Sequence, residues 1–146
     1  MASNKTVLDI ACGCGYGSYL IAKEGGAERV VGIDLNGDSI RYGNFRFGGS
    51  NIFRSVGDAQ EFIQEDGFDY IVSFETIEHL PKYEQFLMNM VKTLKKDGYF
   101  FVSTPIVKVS NSNCKNPYHV IEWSFDDFHK LIEKYFNNRI YLFTKY

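Results

Sequence analysis

Two groups of residues in this chain could do chemistry. The first is the run TVLDIACGCGYGSYLIA, residues 6–22, where Asp9 is followed by Gly13, Gly15 and Gly17. Glycines so placed let the backbone take angles closed to residues with a Cβ, and let a ligand come close to the main chain. A strand, such a turn and then a helix form the opening unit of a nucleotide-type binding site. The second group is ETIEH, residues 75–79, with a distant His119 in NPYHVIEW, residues 116–123. If 75–79 form a helical turn, Glu75, Glu78 and His79 stand at offsets of three and four and share one face. With His119 they would make a divalent-metal site for magnesium, manganese or zinc. Without an ion, His79 or His119 would accept a proton beside Glu75, or Glu78 and His79 would simply brace the loop.

These residues need elements to hold them. Val7, Leu8 and Ile10 read as a first strand, and ERVVGIDLN (28–36), NIFRSVGDA (51–59), FDYIVSFE (68–75), YFFVSTP (99–105) and RIYLF (139–143) as further ones. Between them, helical spacing begins at Tyr19, Leu20 and Ala22 and recurs in DSIRYGNFRFG (38–48), which Gly43 interrupts. KYEQFLMNMVKTLKKDG (82–98) has Phe86, Leu87, Met90, Val91 and Leu94 on one face and Gly98 as its stop. A last helix, SFDDFHKLIEKYF (124–136), opens on the N-cap candidate Ser124. Alternating strands and helices predict an α/β fold, a Rossmann-like doubly wound, mostly parallel sheet with helices on both faces. Ligands of such sheets bind beyond the carboxyl ends of the strands. Asp9, Asp34, Asp58 and Glu75 close the first four strands, and Asp34 stands where an acid would accept hydrogen bonds from both hydroxyls of a ribose.

Composition bounds the alternatives. With 146 residues, 45% of them hydrophobic, residues 1–146 can close one core as one domain. A formal charge of −2 without basic runs argues against nucleic acid as a partner and suits a small or neutral ligand. Three cysteines, an odd number, suggest reduced thiols rather than a disulfide framework. No run is long enough to span a bilayer, and Asp9 breaks the early apolar stretch, so the expected address is cytoplasmic, away from membranes.

The motifs VLDIACGCG (7–15), VVGIDLN (30–36), VGDAQEF (56–62), FDYIVSFETIEHL (68–80) and LKKDGYFFVSTP (94–105) resemble, in order and spacing, the class I S-adenosylmethionine-dependent methyltransferases. The resemblance covers nearly the whole chain. It implies that the methionine part of S-adenosylmethionine lies over Asp9 and the backbone of Ala11, Gly13 and Gly15. It implies the ribose on Asp34, the adenine against Leu35 with its edge on Asp58 and the backbone of Ala59, and Phe74 beside the methionine moiety. Ala11 stands where the family most often has glycine, a departure expected to leave cofactor binding intact. Family members usually carry lid helices before the first motif and a final antiparallel strand pair. This chain therefore reads as a fragment, or as a minimal core completed by a homodimer or a partner subunit.

ETIEH with the distant histidine is similar to the metal-binding set of small-RNA 2′-O-methyltransferases, and in part to O-methyltransferases of quinone biosynthesis. The NPYHVIEW loop looks like methyltransferases of sugar and polysaccharide pathways. The expected reaction is O-methylation of a small molecule or sugar, with help from a divalent ion if one binds. RNA 2′-O-methylation and a non-catalytic cofactor-binding module are the alternatives. A nicotinamide-dependent oxidoreductase would share the glycine turn and Asp34, but its third glycine would fall at Ser18 and it has no role for Asp58 or ETIEH.

Overall fold

Val7, Leu8 and Ile10 are β-prone apolar residues buried to 1% exposure or less, as befits a strand covered on both faces. They form β1 (Thr6–Ile10), the centre of a sheet ordered β3-β2-β1-β4-β5, in a computed structural model that describes residues 2–65 and 67–136. The other strands are β2 (Arg29–Asp34), β3 (Ile52–Val56), β4 (Phe68–Phe74) and β5 (Leu94–Ser103), and every pairing is parallel. Helices α1 (Tyr16–Lys23), α2 (Gly37–Arg46), α3 (Tyr83–Thr93) and α4 (Phe125–Tyr135) connect or follow them. The doubly wound α/β expectation therefore holds. The anticipated last strand at 139–143 lies outside the described residues.

Two cores flank the sheet. On one face Val7, Val30 and Ile52 pack with Ala22 of α1 and Ala27. On the other, Leu8, Ile10, Ile33, Ile71 and Phe100 meet Phe86, Leu87 and Met90 of α3 and Phe128 and Ile132 of α4. The first face is thinly covered over β4 and β5, where the paired Tyr70 and Tyr99 and the nearby Phe101 form a row of rings. A shallow apolar cavity of about 210 Å³ opens there between Ala2, Ile21, Val72 and Phe101.

Helix starts follow their caps. Asn36 accepts from the Asp38 and Ser39 amides at the head of α2, and Ser124 from the Asp127 amide at the head of α4. The polar stretch after β5 contains a two-stranded parallel pair, β6 (Ile106–Val107) and β7 (Trp123–Ser124). One expectation fails: α3 ends at Thr93, and residues 94–98 belong to β5 rather than to the helix. Leu94 pairs with Phe68, and Lys95 reaches Asp69 at 3.1 Å, so tertiary pairing overrides helical spacing. Gly98 is no helix stop; a Cβ there would fall 2.7 Å from the Asp69 carbonyl, so glycine is what lets β5 approach β4.

The strand order positions the site. β1 leads toward β2 and β3 on one side, whereas β4 leads to β5 on the other, so the order reverses between the neighbours β1 and β4. The loops leaving those two strands part there and open a crevice at the carboxyl rim.

Asp69 fastens the opposite end of the sheet. Its carboxylate accepts from the Thr6 amide at 2.8 Å, the Thr6 hydroxyl at 2.8 Å and Lys95 Nζ at 3.1 Å. Those bonds, the Thr6 amide foremost, hold the Asp69 carboxyl at about 2. A folded-state value below the unfolded one of roughly 3.9 means that this stabilisation is complete above that pH and is lost as pH falls through about 2. Asp69→Asn is expected to lower stability near neutral pH by about 1–2 kcal/mol in urea unfolding, and the deficit should shrink in acid. Equal stability of the two proteins near neutrality would contradict this.

Candidate functional site

After Ile10 the chain turns through Ala11 (φ 60°), Gly13 (φ 55°) and Gly15 (φ 74°), all left-handed, before entering α1. The Cys12 amide bonds the Ile33 carbonyl at 3.0 Å, carrying the β1–β2 ladder one step beyond the strand, and the Gly15 amide bonds the Cys12 carbonyl at 2.9 Å. The glycines answer different needs. A Cβ at Gly13 would meet nothing within 4 Å, so this position faces open space. A Cβ at Gly15 would fall 2.1 Å from Arg54 Nε, and one at Gly17 would make ordinary contact, 3.5 Å, with Asp9 Oδ2.

Asp9 lies beneath this turn, 7% exposed. Its Oδ2 accepts from the Ser18 hydroxyl at 2.6 Å, while burial pushes its carboxyl up. Ser18, where a nicotinamide fingerprint would want glycine, is thus a fully buried hydroxyl committed to Asp9. At the end of β2, Asp34 accepts from the Gly13 amide through Oδ2 at 2.7 Å and from the Asn36 amide through Oδ1 at 2.8 Å. Each oxygen keeps a second lone pair for a ligand hydroxyl. Beside it Leu35 stands 72% exposed. Asp58, two residues beyond β3, accepts from the Gln60 amide at 2.9 Å, and Ala59 is buried next to it. Phe74, the last residue of β4, is 56% exposed. The parallel sheet sends all these positions to one rim.

The turn after β4 differs from the helical turn expected over 75–79. Only Ile77–His79 are helical, as a single 3-10 turn, and Glu75 precedes it at φ 50°. Glu75 instead accepts from the Ser103 hydroxyl at 2.6 Å and is left out of the cluster that Glu78, His79 and His119 form. Ligating atoms of those three lie within 4.8 Å of one another. Glu78 is 1% exposed, accepts from the Thr104 hydroxyl at 3.0 Å, and has its carboxyl pushed up by burial. His79 Nδ1 is 2.8 Å from the Tyr118 carbonyl. A carbonyl only accepts, so the ring proton sits on Nδ1 and Nε2 is the basic atom, 4.0 Å from Glu78 Oε1. His119 donates from Nδ1 to Glu122 at 2.8 Å and accepts at Nε2 from the Asn116 side-chain Nδ2 at 2.9 Å. The Val120 amide, bonded to the Glu78 carbonyl at 2.7 Å, fastens the 116–123 loop over the turn.

A carboxylate and two imidazoles, backed by a hydroxyl, a carbonyl and a second carboxylate, have the composition of a divalent-ion site, and His79 alone has that of a proton acceptor. Arg54, Thr104, Asn116 and Glu122 were not singled out in the sequence. Glu122 carried a signal, since it stands three residues after His119; Arg54 carried none.

A family model described as a methyltransferase domain matches residues 1–137. The chain is 31% identical over 134 residues to a Mycolicibacterium smegmatis protein named "Probable S-adenosylmethionine-dependent methyltransferase", covering 90% of this chain and 51% of that one. It is 31% identical over 105 residues to the ubiquinone biosynthesis O-methyltransferase of Hydrogenovibrio crunogenus, covering 69% and 43%. The solved PH0226 protein of Pyrococcus horikoshii OT3 superposes with a TM-score of 0.75 at 25% identity, over 94% of this chain and 75% of that one. The chain thus spans about half the length of the curated relatives it matches.

Ala11 holds a left-handed backbone at a cost of roughly 1–2 kcal/mol for an L residue with a Cβ. Set against the extra freedom glycine gives the unfolded chain, Ala11→Gly is expected to stabilise the protein by about 0.5–1 kcal/mol in denaturant unfolding. A net loss of stability would show that the turn does not hold this conformation.

Proposed function

The chain belongs to the class I S-adenosylmethionine-dependent methyltransferases, and on that premise we propose that it methylates an oxygen of a small hydroxyl-bearing molecule such as a sugar or a phenol. The observation that carries this reading is His79, whose Nδ1–H is committed to the Tyr118 carbonyl while Nε2 is left to accept a proton. A hydroxyl must lose its proton as it attacks, and a positioned imidazole takes it at neutral pH. The name of the ubiquinone-pathway relative supports oxygen as the acceptor atom. The near-neutral chain without a basic run favours a small acceptor over RNA.

The residues at the rim fit the adenosyl cofactor. Gly13 has open space where a Cβ would stand, and Asp34 retains acceptor capacity beside it. Asp34 would take the ribose hydroxyls, Leu35 would cover the adenine, and Asp58 with the Ala59 amide would meet its edge. Ala11, Gly13 and Gly15 would line the methionine part over the buried Asp9, with Phe74 beside it. The cofactor supplies an electrophilic methyl carried on a sulfonium. Phe74 and the turn at Glu75 would keep water from the acceptor, and His79 would receive its proton at Nε2.

Glu78, His79 and His119 would also hold a divalent ion if the Asn116 side-chain amide gave up His119 Nε2, with Thr104, the Tyr118 carbonyl and Glu122 orienting the three ligands. Such an ion would add Lewis acidity toward the acceptor hydroxyl.

Incubation with methyl-labelled cofactor and a panel of sugars, catechols and RNA is expected to give transfer to a small hydroxyl. Tight cofactor binding with no transfer to any of them would favour a non-catalytic module. Asp34→Ala is expected to weaken cofactor binding by at least tenfold, through lost charge-assisted hydrogen bonds of roughly 1.5–3 kcal/mol; calorimetry showing unchanged affinity would refute the ribose assignment. His79→Ala should cut transfer by about 10²–10⁴ while sparing cofactor affinity. Chelation that abolishes transfer, with recovery on adding manganese or zinc, assigns the ion; activity in excess chelator assigns His79 as the base by itself.

A further inference from the structure

We propose that Arg54 is a positioning residue for the cofactor loop, clamping the glycine turn from beneath; the proposal rests on the cofactor reading above. Arg54 stands on β3 opposite Gly32 of β2, and its side chain runs across Gly32, where a Cβ would come 3.1 Å from Arg54 Cγ. The guanidinium ends among three backbone carbonyls. Nη2 donates to Gly15 at 2.9 Å and to Phe47 at 3.0 Å, and Nη1 to Gly43 at 3.3 Å. One planar group therefore ties the head of α1 to the last turn of α2.

Sequence and geometry interlock around this group. Gly15 is the residue that caps α1, and its carbonyl also takes the first helical bond, from the Tyr19 amide at 3.1 Å. A Cβ on Gly15 would clash with Arg54 Nε at 2.1 Å, so glycine at that position leaves room for the arginine. From the side, Gly43 of α2 touches the same turn, and a Cβ there would fall 2.4 Å from the Cys14 carbonyl. Arg54 and Gly43 thus both press close on residues 14–15, while Gly13 faces open space.

Arginine is the residue this job requires. Its fork presents several N–H donors in one plane, whereas lysine offers a point charge that cannot span three carbonyls. Among the ion pairs of the described residues none includes Arg54, so its charge strengthens hydrogen bonds to carbonyls instead of pairing with a carboxylate. Its field also favours the charged form of Asp9 beneath the same turn. A loop held in its binding shape before the ligand arrives loses less entropy on binding.

The test compares wild type, Arg54→Met, Arg54→Lys and Gly43→Ala by calorimetric titration with S-adenosylhomocysteine, circular dichroism and amide NMR. Arg54→Met is expected to remain folded, to bind at least tenfold more weakly, and to broaden the amides of residues 12–15 while those of β1 stay sharp. Arg54→Lys should recover part of the affinity, and Gly43→Ala should weaken binding with Arg54 intact. If Arg54→Met fails to fold, the lysine and Gly43→Ala variants carry the same comparison. Wild-type binding together with unchanged affinity and sharp loop amides in the folded variants overturns this assignment alone. Absence of wild-type binding overturns the cofactor reading, and this assignment with it.

Discussion

The hydrogen bond from the Gly13 amide to the Asp34 carboxylate, 2.7 Å long, is the contact on which the glycine turn and the proposed cofactor site depend. It exists because β1 and β2 run parallel and in register through Ile10 and Ile33, so the loop after one strand meets the acid that ends the other. A charge-assisted bond of this kind contributes roughly 1.5–3 kcal/mol, comparable to the strain of left-handed backbone at Ala11. With Oδ1 on the Asn36 amide, the same carboxylate also fixes the head of α2, whose cap is Asn36. Turn, acid and helix therefore form one unit, and a ligand at this rim meets it already assembled.

The reversal of strand order between β1 and β4 divides labour across the crevice. Loops after β1, β2 and β3 carry backbone amides and carboxylates suited to a nucleoside. The turn after β4 carries Glu78 and His79, and the stretch after β5 folds back to add His119. That folding back has its own supports, the short β6–β7 pair and the Val120–Glu78 bond. On the proposed reading, binding and chemistry are built from different loops on one sheet, an arrangement that lets an acceptor site vary while a cofactor site is kept.

Residues whose role is local were legible in the sequence. The glycine turn, Asp34 at the end of its strand, and the caps Ser124 and the helix it opens all express short-range rules of backbone and capping. What escaped depends on partners far along the chain. Lys95 lies in a stretch with helical spacing, yet its contact with Asp69 and the pairing of Leu94 with Phe68 draw it into β5. Gly98 resembles a helix stop and serves a close approach of strands. Glu75 shares helical spacing with Glu78, but its left-handed backbone sends it to Ser103. Arg54 is one arginine among ordinary strand residues until the fold brings three carbonyls to it.

The central claim is that the Gly13–Asp34 unit grips an adenosyl ligand while Glu78, His79 and His119 face its reactive end. A crystal structure grown with S-adenosylhomocysteine and a divalent ion tests it most directly. Density is expected for the ribose against Asp34, with the sulfur end of the ligand directed toward the turn at residues 75–79. Ligand density elsewhere on the molecule, with the Asp34 carboxylate facing only solvent, would contradict it.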